Sequence, residues 1–339
     1  MNAIQRVQKR LRGEPVDRPP NFNIMMTFAA HYIKQPLSRY YLDYRVLCDA
    51  NFAVAEAFAL DILQAISDPY REAADLGAQI EFPYDGLPVC KIPLLQNETD
   101  LLKMTLVKPE DGKRMTDRLQ AITRFREQAG DTMPVMGWVE GALAEAADLR
   151  GVSALMMDLY ERPQWVKELL ELCVTVAINF ARAQVQAGAN IIGLGDSVVS
   201  QISPALYREF ALPYQQRIFA AVKEMGAIPR LHICGNTSLI LNEMVQSGAD
   251  IIDLDWMVDF GQAAALYGGY PAICGNFDPV AVMLQSSPAS VRQATLQCMQ
   301  QGGATCISMA GCEIPDGTPV ENLLAQAQAL RDFGVQLCS

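Results

Sequence analysis

Short runs of β-branched and apolar residues recur along the chain, each followed by a polar turn and a longer stretch with helical spacing. The pattern predicts strands at Asn21 to Met26, Asp61 to Ser67, Pro134 to Glu140, Asn190 to Asp196, Ile228 to Gly235, Asp250 to Trp256, Pro271 to Phe277 and Thr305 to Cys312. Helices are expected at Tyr41 to Leu60, Gly112 to Ala129, Val152 to Gln186, Pro204 to Glu224, Leu239 to Ser247, Val280 to Gln301 and Pro319 to Phe333. Eight strands alternating with helices specify an α/β fold, a single (β/α)8 TIM-type barrel, with its chemistry on the loops after the strand C-termini. Residues 67–93, rich in proline and glycine, break the rhythm. They are read as an insertion after the second strand that caps the barrel mouth or adds a hairpin. What precedes the first strand is an N-terminal extension, and residues 1–339 are expected to form one catalytic domain.

Composition narrows the partners. Half of the residues are hydrophobic and 19% are charged, which suits a large buried core. A net charge of -11 with no block of Lys and Arg argues against nucleic acid and against a large polyanion. The basic N-terminus lacks the apolar core of a signal peptide, and no run of about 18 apolar residues offers a membrane span. A cytoplasmic location is expected, and a homodimer is compatible with the composition. The nine cysteines, an odd number without a secretory signal, fit a reducing compartment in which some thiols pack and a few bind metal.

The strand ends hold a dense set of polar side chains for such apolar strands. They include Ser67 and Asp68; Trp138 and Glu140; Asp196 and Ser197; His232 and Cys234; Asp255 and Trp256; Cys274, Asn276 and Asp278; and Cys312 and Glu313. Residues two apart on a strand share a face, so His232 and Cys234 project together. With Cys312 at the end of the last strand they make a His-Cys-Cys set of the kind that binds Zn2+ and keeps a fourth position open. The plain alternative is that these cysteines are small core residues. The tetrapeptide ICGN closes two predicted strands, at 233–236 and 273–276, which makes Asn236 and Asn276 candidates for contacting a cofactor. Trp138 and Trp256 offer flat walls for a planar ring. Glu140, in WVEGAL, and Asp196, in GLGDSV, are candidate catalytic carboxyls whose pKa rises in a low-dielectric mouth; each could instead cap a helix. Glu313 is a third candidate. In DLDWMVD, Asp255 stands with Asp253 and Asp259 as alternatives. GLGD lacks the third glycine of a dinucleotide fingerprint. His31 is expected to be simply solvated or packed. Met25, Met26 and Phe28 are ordinary core or an apolar substrate wall.

The motifs RLHICGNT, CGNFDPVAV and AGCEIPDGTPVENL, with LRGEPVDRPP and GDSVVSQISPALYREFALPY, resemble the family that joins uroporphyrinogen decarboxylase with the corrinoid-dependent methyltransferases. The resemblance spans nearly the whole chain. In the methyltransferase branch H-x-C and a distant G-C supply zinc ligands, which implies His232, Cys234 and Cys312 here. It also implies a cobalamin (corrinoid) cofactor carried by a separate partner protein, because no cobalamin-binding motif stands in this chain. Two departures bear on function. Decarboxylases carry arginines near the N-terminus to hold porphyrinogen carboxylates, and NFNIMMTFAAHYI has none. Cys274 stands where the coenzyme M enzymes have an apolar or small residue; it is a fourth metal ligand, an alternative to His232, or a buried strand cysteine. The expected activity is zinc-dependent demethylation of a small O-methylated, methoxyaromatic-type compound, with methylation of a thiol as the alternative and a decarboxylase-type lyase behind both.

Overall fold

A computed structural model describes residues 1–338, with side chains described through Val335. Seven parallel strands form one curled sheet in the order β1 (Leu63–Gln64), β4 (Val135–Glu140), β5 (Ile191–Gly195), β6 (Ile228–His232), β7 (Ile251–Asp253), β8 (Ala272–Phe277) and β9 (Ile307–Ala310). The remaining two, β2 (Ile80–Glu81) and β3 (Val89–Cys90), make a separate antiparallel hairpin inside the predicted insertion. Each sheet strand neighbours its successor, and helices cover the outside. Every residue of β4 is buried, as a strand covered on both faces requires.

The eighth position is held by an irregular segment rather than by the regular strand predicted from Asn21 to Met26. Asn21 bridges Ser308 of β9, the Phe22 amide donates to the Ser308 carbonyl at 2.8 Å, and the Asp61 amide donates to the Asn21 carbonyl at 2.9 Å. The ring closes through these bonds. Pro19 and Pro20 have no amide to give to a ladder, and side chains take over beyond them: Asn23 Oδ1 accepts from the Ala310 amide at 3.0 Å, and Gln64 donates to the Asn23 carbonyl at 2.7 Å. Helix Met26–Tyr32 then begins at the residue where the strand was expected to end.

Most helices fall where the spacing put them, but prolines and caps divide them. Val152 to Gln186 splits into Val152–Glu161 and Pro163–Gln186 at Pro163, which serves as a helix start. Tyr41 to Leu60 is cut at Asp43, whose side chain accepts from the Arg45 amide and caps Tyr44–Phe58. Helices Ala3–Leu11, Ala142–Arg150 and Phe260–Tyr267 were not anticipated. The first of these lies in the N-terminal extension, and its Val7 and Leu11 pack against the barrel interior. Among the described residues no helix is long and apolar enough to cross a membrane.

The barrel interior holds Phe22, Ile24, Met136, Trp138, Ile191, Ile251, Cys274, Ile307 and Met309. Within it stands the fully buried Arg230. Gly195 of β5 faces the indole of Trp138, and a Cβ there would come within 2.9 Å of the ring. The GLG run therefore makes room for Trp138 at the mouth.

Candidate active site

Strand β6 aims Arg230 and His232 into the barrel, and the chain then turns at Gly235, whose φ of +91° favours glycine. Cys234, two residues beyond His232 and just before that turn, lies on the same face as its histidine. His232 Nε2 lies 3.1 Å from Cys234 Sγ and 3.7 Å from Cys312 Sγ, and the two sulfurs are 3.5 Å apart. Tetrahedral zinc, with bonds of about 2.3 Å to sulfur and 2.0–2.1 Å to nitrogen, needs separations of about 3.6–3.8 Å between such ligands. The triangle fits to within about half an ångström, and the three donors are the one group among the described residues arranged to hold a metal ion.

The sulfurs are electrostatically unequal. The hydrogen bond from Cys234 holds Cys312 down to about 4, against burial and with help from His232. Cys234, donating to that thiolate and buried, is pushed up. Burial opposes the imidazolium, but Cys234 and the bond to Asp253 carry His232 well above its ordinary value. His232 Nδ1 meets Asp253 Oδ2 at 2.9 Å. Of the three aspartates of DLDWMVD, then, Asp253 supports the histidine. Asp255 instead accepts from the Gly235 and Trp256 amides at 2.6 Å, and Asp259 caps helix Phe260–Tyr267.

His232, Cys234 and Cys312 line one wall of a cavity of about 220 Å3 at the barrel mouth. The same cavity is lined by Asp68 and Arg71 from the segment after β1 and by Trp138 and Glu140 from β4, while Ile24, Met26 and Ile66 supply apolar wall. Glu140 Oε1 accepts from Arg71 Nη2 at 2.6 Å and from Trp138 Nε1 at 3.2 Å, and its amide donates to Glu72 at 3.0 Å. Burial pushes the Glu140 carboxyl up to about 8; Arg71 opposes the rise and Glu72 adds to it. Two further carboxyls, the buried Glu145 and the half-buried Asp148, are also pushed well up, mainly by desolvation and with Glu72 and Glu140 adding to the rise. Asp68 goes the other way: despite burial, Arg114 and Arg71 hold it below its ordinary value. The Trp138 ring centroid lies 6.0 Å from that of His232, which links the two walls. Glu313 also lines the cavity, its carboxyl raised by burial while it accepts from the Thr27 amide and hydroxyl, each at 2.8 Å.

The other predicted site residues lie elsewhere. Cys274 is fully buried inside the barrel, apart from the metal triangle, and fits the strand-cysteine reading rather than that of a ligand. Its side chain points inward from the middle of β8 and so sits below the mouth. Asp196 is fully buried and raised by burial to about 6, but its carboxylate accepts from the Ala144 amide at 3.0 Å and from Gln215 at 2.8 Å, while its neighbours Gly195 and Ser197 line the cavity. Asn276 donates to the carbonyls of Asp255 and Val258, and holds the loop after β7 instead of facing the mouth. Asn236 is exposed and accepts from the Ser238 amide, and Trp256 is about half exposed. His31 is neither free nor simply packed, since its ring nitrogens meet Asp85 at 2.8 Å and Asp316 at 2.9 Å. Cys338 lies beyond the described side chains. Arg71, Glu72 and Arg230 escaped the sequence reading. Arg230 had a signal, because it shares the inward face of its strand with His232 two residues on, and a charge there must find a partner.

The sequence model of the family described as uroporphyrinogen decarboxylase (URO-D) matches residues 2–333. A uroporphyrinogen decarboxylase of Nostoc punctiforme is 30% identical over 330 residues, 92% of this chain and 91% of that protein. A methylcobamide:CoM methyltransferase MtbA of Methanosarcina mazei is 28% identical over 342 residues, 97% of each. Among solved structures, a methyltransferase from Methanosarcina mazei superposes with a TM-score of 0.90 at 22% identity, covering 98% of this chain and 99% of that one.

Proposed function

The chain belongs to the uroporphyrinogen decarboxylase family, and we propose that it is an enzyme of the methyltransferase kind. It moves a methyl group between a small substrate and the cobalt of a corrinoid carried by a separate protein. The observation that carries this reading is the triangle of His232, Cys234 and Cys312, a ligand set for zinc at one wall of the cavity. Zinc held there would act as a Lewis acid on the heteroatom that bears or receives the methyl group.

The chain's own residues supply the rest. Burial raises the Glu140 carboxyl and so favours its protonated form, and it lines the same cavity as the triangle. It is placed to give its proton to an oxygen that departs as the methyl group leaves. Arg71 and Trp138 fix its orientation through Oε1. The apolar wall and the volume of about 220 Å3, below the roughly 300–1,000 Å3 of drug-sized pockets, suit a small and largely apolar compound. We therefore favour demethylation of a small O-methylated substrate. Cys274, buried beneath the mouth, lends that preference no support; Glu140 does.

A second reading, methylation of a thiol, is favoured by the similarity to methylcobamide:CoM methyltransferases. The same triangle serves both. A lyase acting on a porphyrinogen is disfavoured, because Arg71 is the single arginine among the lining residues and the cavity is small for a tetrapyrrole.

The test is elemental analysis of wild type, Cys274→Ser and Cys312→Ser, followed by optical detection of methyl-cobalt formed from cob(I)alamin and a methoxylated aromatic compound. About one zinc per chain, kept by Cys274→Ser and lost by Cys312→Ser, with a methyl-cobalt spectrum, is the expected result. Methyl-cobalt consumed by 2-mercaptoethanol, with none formed from the ether, would select the thiol reading. Wild type without zinc would overturn both.

A further inference from the structure

Arg230 is the unusual feature of the barrel interior. Its guanidinium is fully buried, and Nε reaches Asp253 Oδ1 at 2.9 Å and Oδ2 at 3.1 Å. Its terminal nitrogens meet only soft partners: Met136 Sδ at 3.5 Å, Met309 Sδ at 3.0 Å and the Phe22 ring at 5.3 Å. Asp253 is thus its one anionic partner, and Asp253 in turn meets His232 Nδ1. A buried ion pair is a poor way to stabilise a core, since apolar residues of similar volume do as well or better. Its place directly beneath His232 suggests another purpose.

We propose that Arg230 and Asp253 are the positioning residues of the metal centre, an inference that rests on the zinc reading above. An ionised carboxylate accepts but cannot donate, so Asp253 fixes the proton on Nδ1 and leaves Nε2 to face the sulfurs as a ligand. A lone carboxylate beneath two thiolates would add a third negative charge in a low-dielectric site. Arg230 cancels that charge while leaving both Asp253 oxygens in place, so His232 gains a strong acceptor and the site gains no net charge. The Nε–H, shared between both Asp253 oxygens, also resists rotation of the carboxylate, and the bulk of Trp138 confines the ring from the side of β4.

The test is zinc affinity of the full chain, measured by competition with a chromophoric chelator, and the spectrum of bound Co2+. Arg230→Met/Asp253→Leu removes both charges and leaves a core able to fold. It should bind zinc about 10- to 100-fold more weakly, the usual cost of losing an outer partner of a ligating histidine. Arg230→Gln/Asp253→Asn, which keeps an acceptor for Nδ1, should recover part of that loss and restore the wild-type Co2+ bands. If the first variant fails to fold without metal, the second carries the test, with an affinity below wild type expected. Wild-type affinity in either variant would overturn the inference and leave the zinc reading standing. A wild-type chain that binds no zinc overturns the zinc reading instead.

Discussion

The sulfur-nitrogen wall of the cavity and its carboxylate wall differ in where their residues come from. His232 and Asp253 stand on consecutive strands, with Cys234 and Cys312 just beyond their strand ends, so the sheet itself sets their spacing. Glu140 also ends a strand, but Arg71 and Glu72, which set its charge, stand on helix Arg71–Asp75 in the insertion. One wall is therefore a property of the barrel and the other of an addition to it. Substitutions on the first should remove metal, whereas those on the second should change proton chemistry and stability with the metal retained.

The largest effect is expected from Cys312→Ser. Zinc content should fall from about one per chain to near zero by elemental analysis, and methyl transfer should fall by more than the ~10- to 100-fold typical of an outer-shell change. Zinc retained at wild-type affinity would break the comparison on the metal side. Glu140→Gln comes next. Methyl transfer from an O-methyl substrate should drop about 10²- to 10⁴-fold, the usual contribution of a general acid, with zinc content unchanged. An equal loss of zinc would merge the two walls into one unit.

The pH dependence sharpens the same contrast. The folded value of Glu140, about 8, lies above its ordinary 4.5, so between these values the folded state binds the extra proton. Stability that is full below pH about 4.5 is lost as pH rises through about 8, and demethylation declines over the upper part of that range as the acid is consumed. Urea denaturation and rate profiles on wild type and Glu140→Gln should show the slope in the first and a flattened one in the second. Arg71→Met takes one of its buried cations from the ionised Asp68 and should cost about 3–5 kcal/mol in urea denaturation. Unchanged stability would mean that Arg114 compensates Asp68 without it. The smallest effect belongs to Cys274→Ser, which should cost about 1 kcal/mol, since Asp253 beside it can accept from the new hydroxyl, and leave zinc binding intact.

Much of this arrangement was legible in the chain. The alternation of strand and helix patterns is local, and seven of the eight predicted strands overlap the observed parallel strands. H-x-C at a strand end was legible for the same reason, because period two fixes the shared face of its side chains. Pro163, Pro213 and Pro288 stand in the first turns of helices and mark where the longer helical stretches divide. The loss of a regular first strand was harder to see, since Asn23 and Gln64 replace backbone bonds with side-chain bonds that no periodicity records.

The sequence by itself determined the alternation of strands and helices that makes a barrel and the pairing of His232 with Cys234, because each follows from spacing within a segment. Only the tertiary structure decided that Cys312 joins them while Cys274 lies below, that Asp196 turns to Ala144 and Gln215, and that Asn276 ties down a loop. It also decided that Arg71 sets the charge of Glu140 and that Arg230 grips Asp253. The physical reason is that metal geometry and carboxyl charge depend on distances of a few ångströms between residues far apart in the chain. Strand patterns fix which face a side chain takes, whereas depth along the barrel axis and the choice of buried partner emerge only when the ring closes.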